Sequence, residues 1–564
     1  MEPRKGEDMV LGLDFGTDSC RALIMDAADG EEAASAHADY SLWARGLYCS
    51  RAESRFRQHP LDYLEALESC VREAVKKAGS AARKIRGIGI DTTGSTPCAV
   101  DREGNPLSLK AEFAENPAAM FVLWKDHTSA AESNRINRAA AAWKGADYLL
   151  YNGGAHSPEW FWSKIMRVLS EDENVARAAF SFLEHCEWMS ALLTGNRDVP
   201  RIRRCRCSMG LRALWHPEFG GYPPREFFEA VDPQLPRILE TMGNETWPAD
   251  TTAGFLCDEW ADRLALPSGI PVTVGAMDAH TGGTGGGVRP GWMVMVAGTS
   301  TCDLLVTPRT DGPSRPIRGI CGQAEGAVVP GMTGYEAGQS AFGDVYAWFR
   351  DLLCWPLENI LPGMEDIDPS VREKLGAALP RLVIPALEKA AEAVDPAASG
   401  LAALDWLNGR RTPDADLLAR GAITGLTLGS GAPRVYRAFA DATAFGLRAI
   451  VERFREEGMP LDGIFAVGGV ARKSPLVMQI AADVLDMPIH VRAGGESVAR
   501  GSAMHAAVSA GLYPDVPAAQ RNMCSPVEKI YAPRPERVLV YNRLYGQYRK
   551  LGLFQNLVGF ETNS

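Results

Sequence analysis

Asp14 follows the apolar run Met9-Val-Leu-Gly-Leu13 and stands just before the small residues Gly16-Thr17-Asp18-Ser19; a second apolar run then leads to Asp26. A strand-end carboxylate beside a hydroxyl-rich turn suits a divalent cation and the phosphates it accompanies. Mg²⁺ bound to phosphates takes one or two carboxylates plus waters, and tight turns present N–H groups to anions. The same residues also read as plain hairpin chemistry. Asp14-Phe15-Gly16 spells a protein-kinase triplet, but the chain has no His-Arg-Asp catalytic loop to go with it.

A second carboxylate ends another apolar stretch, Pro271-Val-Thr-Val-Gly-Ala-Met-Asp278. At the end of a strand facing an inter-domain cleft, Asp278 suits a general base that takes the proton of an attacking hydroxyl in phosphoryl transfer. Its alternative role is to cap the turn or helix that follows. His280 is a weaker candidate for the base. Gly282-Gly-Thr-Gly-Gly-Gly287 lacks the G-x-G-x-x-G spacing, and no G-x-x-x-x-G-K-[ST] occurs. The glycine run reads as a flexible hinge between two halves.

The elements that must position these residues occur twice. Gly16-Thr-Asp-Ser-Cys-Arg-Ala-Leu-Ile24 aligns with Gly298-Thr-Ser-Thr-Cys-Asp-Leu-Leu-Val306, each after an apolar run, and Val296 stands where Asp14 does. Ile85–Gly94 and Leu461–Val470 are each a short strand ending in a glycine-containing turn. Amphipathic helices are expected before them, over about 60–78 and 434–457. Each half therefore reads hairpin, helix, strand, turn. Two such turns could hold one polyanion, with the metal on the Asp14 side. Residues 102–270 and 308–432 are insertions of the kind that build specificity surfaces.

Composition narrows the class. The 564 residues are 46% apolar and 23% charged, with a net charge of −11. That length calls for at least two large domains, and that charge argues against general nucleic-acid or anionic-membrane binding. The basic stretch Pro200-Arg-Ile-Arg-Arg-Cys-Arg-Cys207 is expected to be a solvated or substrate-facing loop. Twelve scattered cysteines without a C-x-x-C pair fit reduced thiols in a cytoplasmic protein. The charged first eight residues lack the apolar core of a signal peptide, and no uninterrupted apolar run of about 18 residues predicts a membrane span.

Several longer stretches carry a resemblance: Asp91-Thr-Thr-Gly-Ser-Thr-Pro97, Phe113–Pro117, Ala119–Thr128, Ser208-Met-Gly210, Gly298–Asp303, Gly334–Trp348, Asp405–Pro413 and Gly468–Lys473. With these the chain resembles the FGGY carbohydrate kinases over nearly its whole length. The resemblance implies an α/β fold of two duplicated actin/hexokinase-like (ribonuclease H-like) domains with a catalytic cleft between them. Domains are expected over 8–286, with the sugar site, first phosphate hairpin and catalytic Asp, and over 287–550, with the second phosphate hairpin and the adenosine site. It implies a cytoplasmic enzyme of arabinose catabolism that uses ATP and Mg²⁺ to phosphorylate L-ribulose at O5. Another ketopentose such as D-ribulose or xylulose is the near alternative. A non-catalytic sugar sensor or actin-like protein is the remote one.

Residue by residue, the resemblance puts Asp14 on the metal and makes Asp278 the base. It puts Thr17, Ser19, Arg21, Gly298, Thr299, Gly468, Gly469 and Lys473 on ATP, and Thr96, Trp124, Arg212, Asp278 and Glu336 on the sugar. Arg212 replaces an expected Lys, a planar fork in place of a point charge. Residues 421–445 match the family's C-terminal signature loosely. No nucleic acid or membrane partner is expected; a homodimer is compatible with the resemblance, though the sequence does not fix the oligomeric state.

Overall fold

The computed structural model describes residues 3–309, 316–416 and 418–558. In chain order the elements that frame the site are strands β1 (Met9–Phe15), β2 (Ser19–Asp26) and β3 (Glu32–Asp39), helix α1 (Pro60–Ala78) and strand β4 (Ile85–Thr92). Strands β5 (Pro271–Thr273) and β6 (Ala276–Met277), helix α2 (Asp278–Gly286) and strands β7 (Gly291–Ala297) and β8 (Thr301–Pro308) follow. Helix α3 (Ala432–Glu456), strand β9 (Leu461–Val467) and helix α4 (Ser497–Ser509) complete the frame.

The chain forms two units. The first comprises Met1–Pro290, Leu304–Glu336 and Glu496–Pro526; the second comprises Gly291–Asp303, Ala337–Gly495 and Val527–Ser564. Two segments beyond the expected boundary at 286/287 thus pack with the first unit.

In the first unit β3, β2 and β1 are antiparallel neighbours, and β1 pairs parallel with β4. The parallel register sets Asp14 opposite Asp91 and Phe15 opposite Thr92. β1 is buried along its whole length, which is why it reads as a continuous apolar run. Helix α1 covers this sheet with Tyr63, Ala66, Leu67, Cys70, Val71 and Ala74, one stripe at helical spacing. His59 Nδ1 accepts from the Leu61 N–H at its start, and Gly79 ends it at φ +59°.

The second unit repeats the motif: β7 pairs parallel with β9, Val296 opposite Val467. Helix α3 buries Phe439, Leu447, Ile450, Val451 and Phe454. Both expected amphipathic helices are present within two residues of their predicted ends.

One expectation fails and another holds only in part. Gly282–Gly287 is not a flexible hinge, since residues 278–286 form the buried helix α2. A Cβ on Gly285 would sit 1.9 Å from the Ser497 carbonyl oxygen, and one on Gly501 would sit 2.0 Å from that of Thr281. The glycines let α2 and α4 touch backbone to backbone. The basic stretch 200–207 is not simply solvated either: Arg204 is fully buried and paired with Glu187 at 2.9 Å.

Candidate active site

In the first unit the turn after β1 is closed by the Gly16 N–H donating to the Ser19 carbonyl at 3.1 Å. Gln58 Nε2 donates to the Thr17 carbonyl at 2.6 Å, and Trp43 Nε1 to Asp18 Oδ1 at 2.7 Å. Arg21, half exposed on β2, reaches Asp14 Oδ2 at 3.1 Å and Glu496 at 4.0 Å. Ser19 is buried beside them.

Asp14 and Asp91, both buried, and the half-buried Asp278 form an acidic group. Burial raises the Asp14 carboxyl, and the Arg21 charge partly offsets this. Burial raises Asp91 far more, with the Asp14 charge adding to it. Asp278 is pushed up to about 7, first by burial and then by the Asp14 charge, while the Ala279 N–H and Arg212 pull the other way. Asp91 Oδ2 accepts from Ser502 Oγ at 2.5 Å, yet its buried Oδ1 has no partner among the described residues. Excess buried negative charge with an unpaired carboxylate oxygen fits a divalent cation. The residues present therefore suit Mg²⁺, with Asp14 and Asp91 as the oxygen donors.

Asp278 is the first residue of α2, directly after β6, and its Oδ1 accepts from the Ala279 N–H at 2.6 Å. It is thus both a strand-end carboxylate and a helix-start residue.

Beside it lies a buried trio of Arg212, Glu336 and His280. Arg212 Nη2 lies 2.7 Å from Glu336, and His280 Nε2 lies 3.0 Å from Glu336 Oε2. Burial disfavours ionised Glu336, but Arg212 and then His280 outweigh it and hold the carboxyl well below its usual range. The helix Arg206–Arg212 is fixed at its end by Trp162, whose Nε1 donates to the Ala213 carbonyl at 2.7 Å. Trp162 belongs to a separate apolar core built by the first insertion, with Phe161, Ile165, Phe227 and Phe228.

Thr96 and Trp124 are held by one buried lysine. Lys164 Nζ donates to the carbonyls of Ser95 at 2.6 Å and Leu123 at 2.9 Å, and Glu184 Oε2 accepts from the Thr96 N–H at 2.8 Å. Thr96 Oγ1 lies 2.9 Å from Thr93 Oγ1.

In the second unit the Gly298 N–H donates to the Ser300 carbonyl at 3.0 Å, and Thr299 O accepts from the N–H groups of Phe342 and Asp344 at 2.8 and 3.0 Å. Gly468, at φ +96°, lies against Ala297, where a Cβ would meet the carbonyl oxygen at 2.6 Å. Gly468 thus stands beside the Gly298 turn. Gly469 opens the short helix Gly469–Lys473, and Lys473 is exposed at its end.

Of the expected site residues, the first unit thus carries the metal-side, base and sugar-side set, and the second carries Gly298, Thr299, Gly468, Gly469 and Lys473. Sequence reasoning did not single out Asp91, Lys164 and Ser502, which the structure places at the candidate site. Asp91 was readable, because β4, like β1, is an apolar strand that delivers an aspartate. The sequence offers His280 only as a weaker base; in the structure its Nε2 lies 3.0 Å from Glu336 Oε2.

Comparison with known proteins gives the family. Residues 9–199 match the N-terminal domain, and residues 293–510 the C-terminal domain, of the FGGY family of carbohydrate kinases. The chain belongs to the FGGY family of carbohydrate kinases. As an FGGY kinase it is an enzyme that phosphorylates a carbohydrate with ATP and Mg²⁺. It is 44% identical to the ribulokinase of Vibrio parahaemolyticus, over 96% of this chain and 95% of that one. It is 37% identical to the ribulokinase of Anoxybacillus flavithermus, over 97% and 94%. The fold is that of the Rhodospirillum rubrum xylulose kinase, with a TM-score of 0.76 at 20% identity covering 98% and 99% of the two chains. The duplicated actin-like architecture of FGGY kinases is the one observed. Among the described residues, no helix is long and apolar enough to cross a membrane.

Proposed function

We propose that this FGGY kinase transfers the terminal phosphoryl group of ATP to O5 of L-ribulose. The observation that carries the reading is the half-buried Asp278 carboxylate at a strand end, on which the charges of Asp14, Arg212 and Glu336 all act. In this reading Asp278 is the general base, with the carboxylates suited to a cation and the polar groups able to bind sugar hydroxyls both acting on it. The full-length likeness to proteins named ribulokinase supports a ketopentose, ribulose in particular, and the L configuration follows the family resemblance of the sequence.

In this reading Thr96, Trp124, Arg212 and Glu336 orient the sugar. The ionised Asp278 accepts the O5 proton as O5 attacks the terminal phosphorus and the bond to the leaving ADP oxygen breaks. Mg²⁺, when bound at Asp14 and Asp91, neutralises charge on the phosphate oxygens. Thr17, Ser19, Arg21, Gly298 and Thr299 bind phosphate. Gly468, Gly469 and Lys473 bind the nucleoside side.

Two coarser features belong to the same reading. The twelve cysteines are all free thiols, which supports a cytoplasmic location. A homodimer is supported by the exposed Trp348, Leu352 and Trp355 along one face of the helix Gly343–Asn359, and light scattering tests it.

The functional test is a coupled ADP-release assay over L-ribulose, D-ribulose, D-xylulose, aldopentoses and glycerol, with phosphorus–carbon coupling locating the phosphate. L-Ribulose as the best substrate with phosphate on C5 is the expected result. A better aldose or glycerol substrate would overturn the ketopentose reading.

A further inference from the structure

The second unit contains a cavity of about 320 Å³ that none of the residues assigned above lines. Much of its wall is Asp405–Pro413, a stretch that carries the family resemblance but has no part in the site just described. Its floor is aromatic: Trp406 Nε1 donates to Tyr548 Oη at 3.2 Å, and the Tyr545 and Tyr548 rings stack with centroids 6.1 Å apart.

The acids of the cavity have partners in the protein. Asp414 takes two N–H groups of Arg453 at 3.0 and 2.8 Å, and Glu452 takes Arg448 at 2.9 Å and Tyr545 Oη at 2.8 Å. Asp405 accepts from Gln339 Nε2 at 2.8 Å and Tyr548 Oη at 2.9 Å. Arg410 is placed differently. Its guanidinium lies 4.8 Å over the Trp406 ring and donates to the Asp414 carbonyl at 3.2 Å; Asp405, already bonded to Gln339 and Tyr548, feels its charge without an ion pair between them among the described residues. Arg549 stands exposed on the same cavity.

Two side chains of the wall point to an occupant. Gln339 and Thr412 are each 4% exposed, yet Gln339 Oε1 and Thr412 Oγ1 have no hydrogen-bond partner among the described residues. Buried polar atoms are rarely left so. Gln339 Oε1 can only accept, so it calls for a donor such as a hydroxyl.

We propose that this cavity binds a small hydroxylated phosphate monoester, with the phosphate on Arg410 and Arg549 and hydroxyls on Gln339 Oε1 and Thr412 Oγ1. A phosphate monoester brings close to two negative charges and three strong acceptor oxygens, enough for two guanidinium forks, where a carboxylate brings one charge. The aromatic floor suits the C–H faces of a sugar.

The test is calorimetric titration of the full chain with D-ribose 5-phosphate and with inorganic phosphate, for the parent, Arg410→Ala and Arg549→Ala. Thermal melting confirms that each variant is folded; Arg549 is exposed, so its loss does not threaten the core. The expected result is that D-ribose 5-phosphate binds the parent and binds each variant at least tenfold more weakly, while kcat and both KM values of the kinase reaction stay within threefold. Inorganic phosphate is expected to bind at least tenfold more weakly than the ester. No binding to the parent would overturn the proposal, as would binding to both variants as tight as to the parent. Inorganic phosphate binding as tightly as the ester would also overturn it. A tenfold rise in either KM of the variants would show the cavity to be part of the reaction site and overturn its assignment as separate.

Discussion

Trp124 donates its indole N–H to Thr17 Oγ1 at 3.0 Å, across 107 positions of sequence. One residue is assigned to the sugar and the other to the first phosphate turn, so this bond joins the two substrates' binding groups. Trp124→Phe keeps an aromatic ring and removes the donor. A hydrogen bond of roughly 1 kcal/mol predicts a fall of about fivefold in kcat/KM for both substrates. Thr17→Val is expected to do the same, and the double variant to be little worse than either single one. Kinetics of the four-member cycle check this; strictly additive losses would show that the bond does not couple the two sites.

Asp14→Ala removes one carboxylate of the proposed cation site and leaves Asp91 facing Ser502. The Mg²⁺ concentration for half-maximal rate is expected to rise at least tenfold, with the sugar KM nearly unchanged. A magnesium titration of variant and parent measures it. An unchanged requirement and rate would remove Asp14 from the metal site.

Glu336→Ala breaks a buried ion pair and leaves Arg212 without its carboxylate. The sugar KM is expected to rise tenfold or more, since a charged hydrogen bond contributes roughly 1.5–3 kcal/mol, and the ATP KM to move much less. Stability is also expected to fall by about 3–5 kcal/mol, because one buried charge is left unpaired. Glu336→Gln, nearly isosteric, separates recognition from packing. Initial rates and denaturant unfolding of both variants are the measurements. An ATP KM that rises as much as the sugar KM would contradict the assignment.

The Asp278 carboxyl, pushed up to about 7, makes a pH prediction. A base works only when ionised, so kcat/KM for the sugar should fall about tenfold per unit below an apparent pKa at or somewhat below 7. Rising Mg²⁺ should shift that limb to lower pH. Stability runs the opposite way in metal-free protein. The folded carboxyl holds its proton more tightly than the unfolded one, whose ordinary value is 3.8. Its stabilising contribution is therefore complete below about pH 4 and lost as pH rises through about 7. The Tm of Asp278→Asn minus that of the parent should accordingly grow between pH 4 and 7 and then level. Calorimetry without magnesium reads this difference; a flat difference would mean that Asp278 is not perturbed.

Much of this arrangement was legible in the sequence, and what was not has a physical reason. β1 and α1 declare themselves by a continuous apolar run and by a 3.6-residue stripe, because local periodicity records which face is buried. Asp14 and Asp278 could be read because each ends such a run. The Ser502–Asp91 bond spans 411 positions, and nothing local to Ser502 announces it. Helix α4 returns to the first unit for the same kind of reason: its fit depends on bare backbone at Gly285 on α2 and on its own Gly501. Glycine's poor helix propensity made 282–287 look like a hinge, and close packing of two helices overrode it. Arg212 and Glu336 came from the family resemblance, and their pairing across 124 positions emerged only from the structure.

The most direct measurement is the turnover of Asp278→Asn with L-ribulose and MgATP, alongside the binding of each substrate. Asparagine keeps the size and the hydrogen bond to the Ala279 N–H but cannot accept the O5 proton. Loss of a general base typically lowers the rate by about 10²–10⁴. The predicted result is a kcat lower by that factor, with both substrates bound within a few-fold of the parent's affinity. A kcat within a few-fold of the parent would contradict Asp278 as the base and, with it, the proposed mechanism.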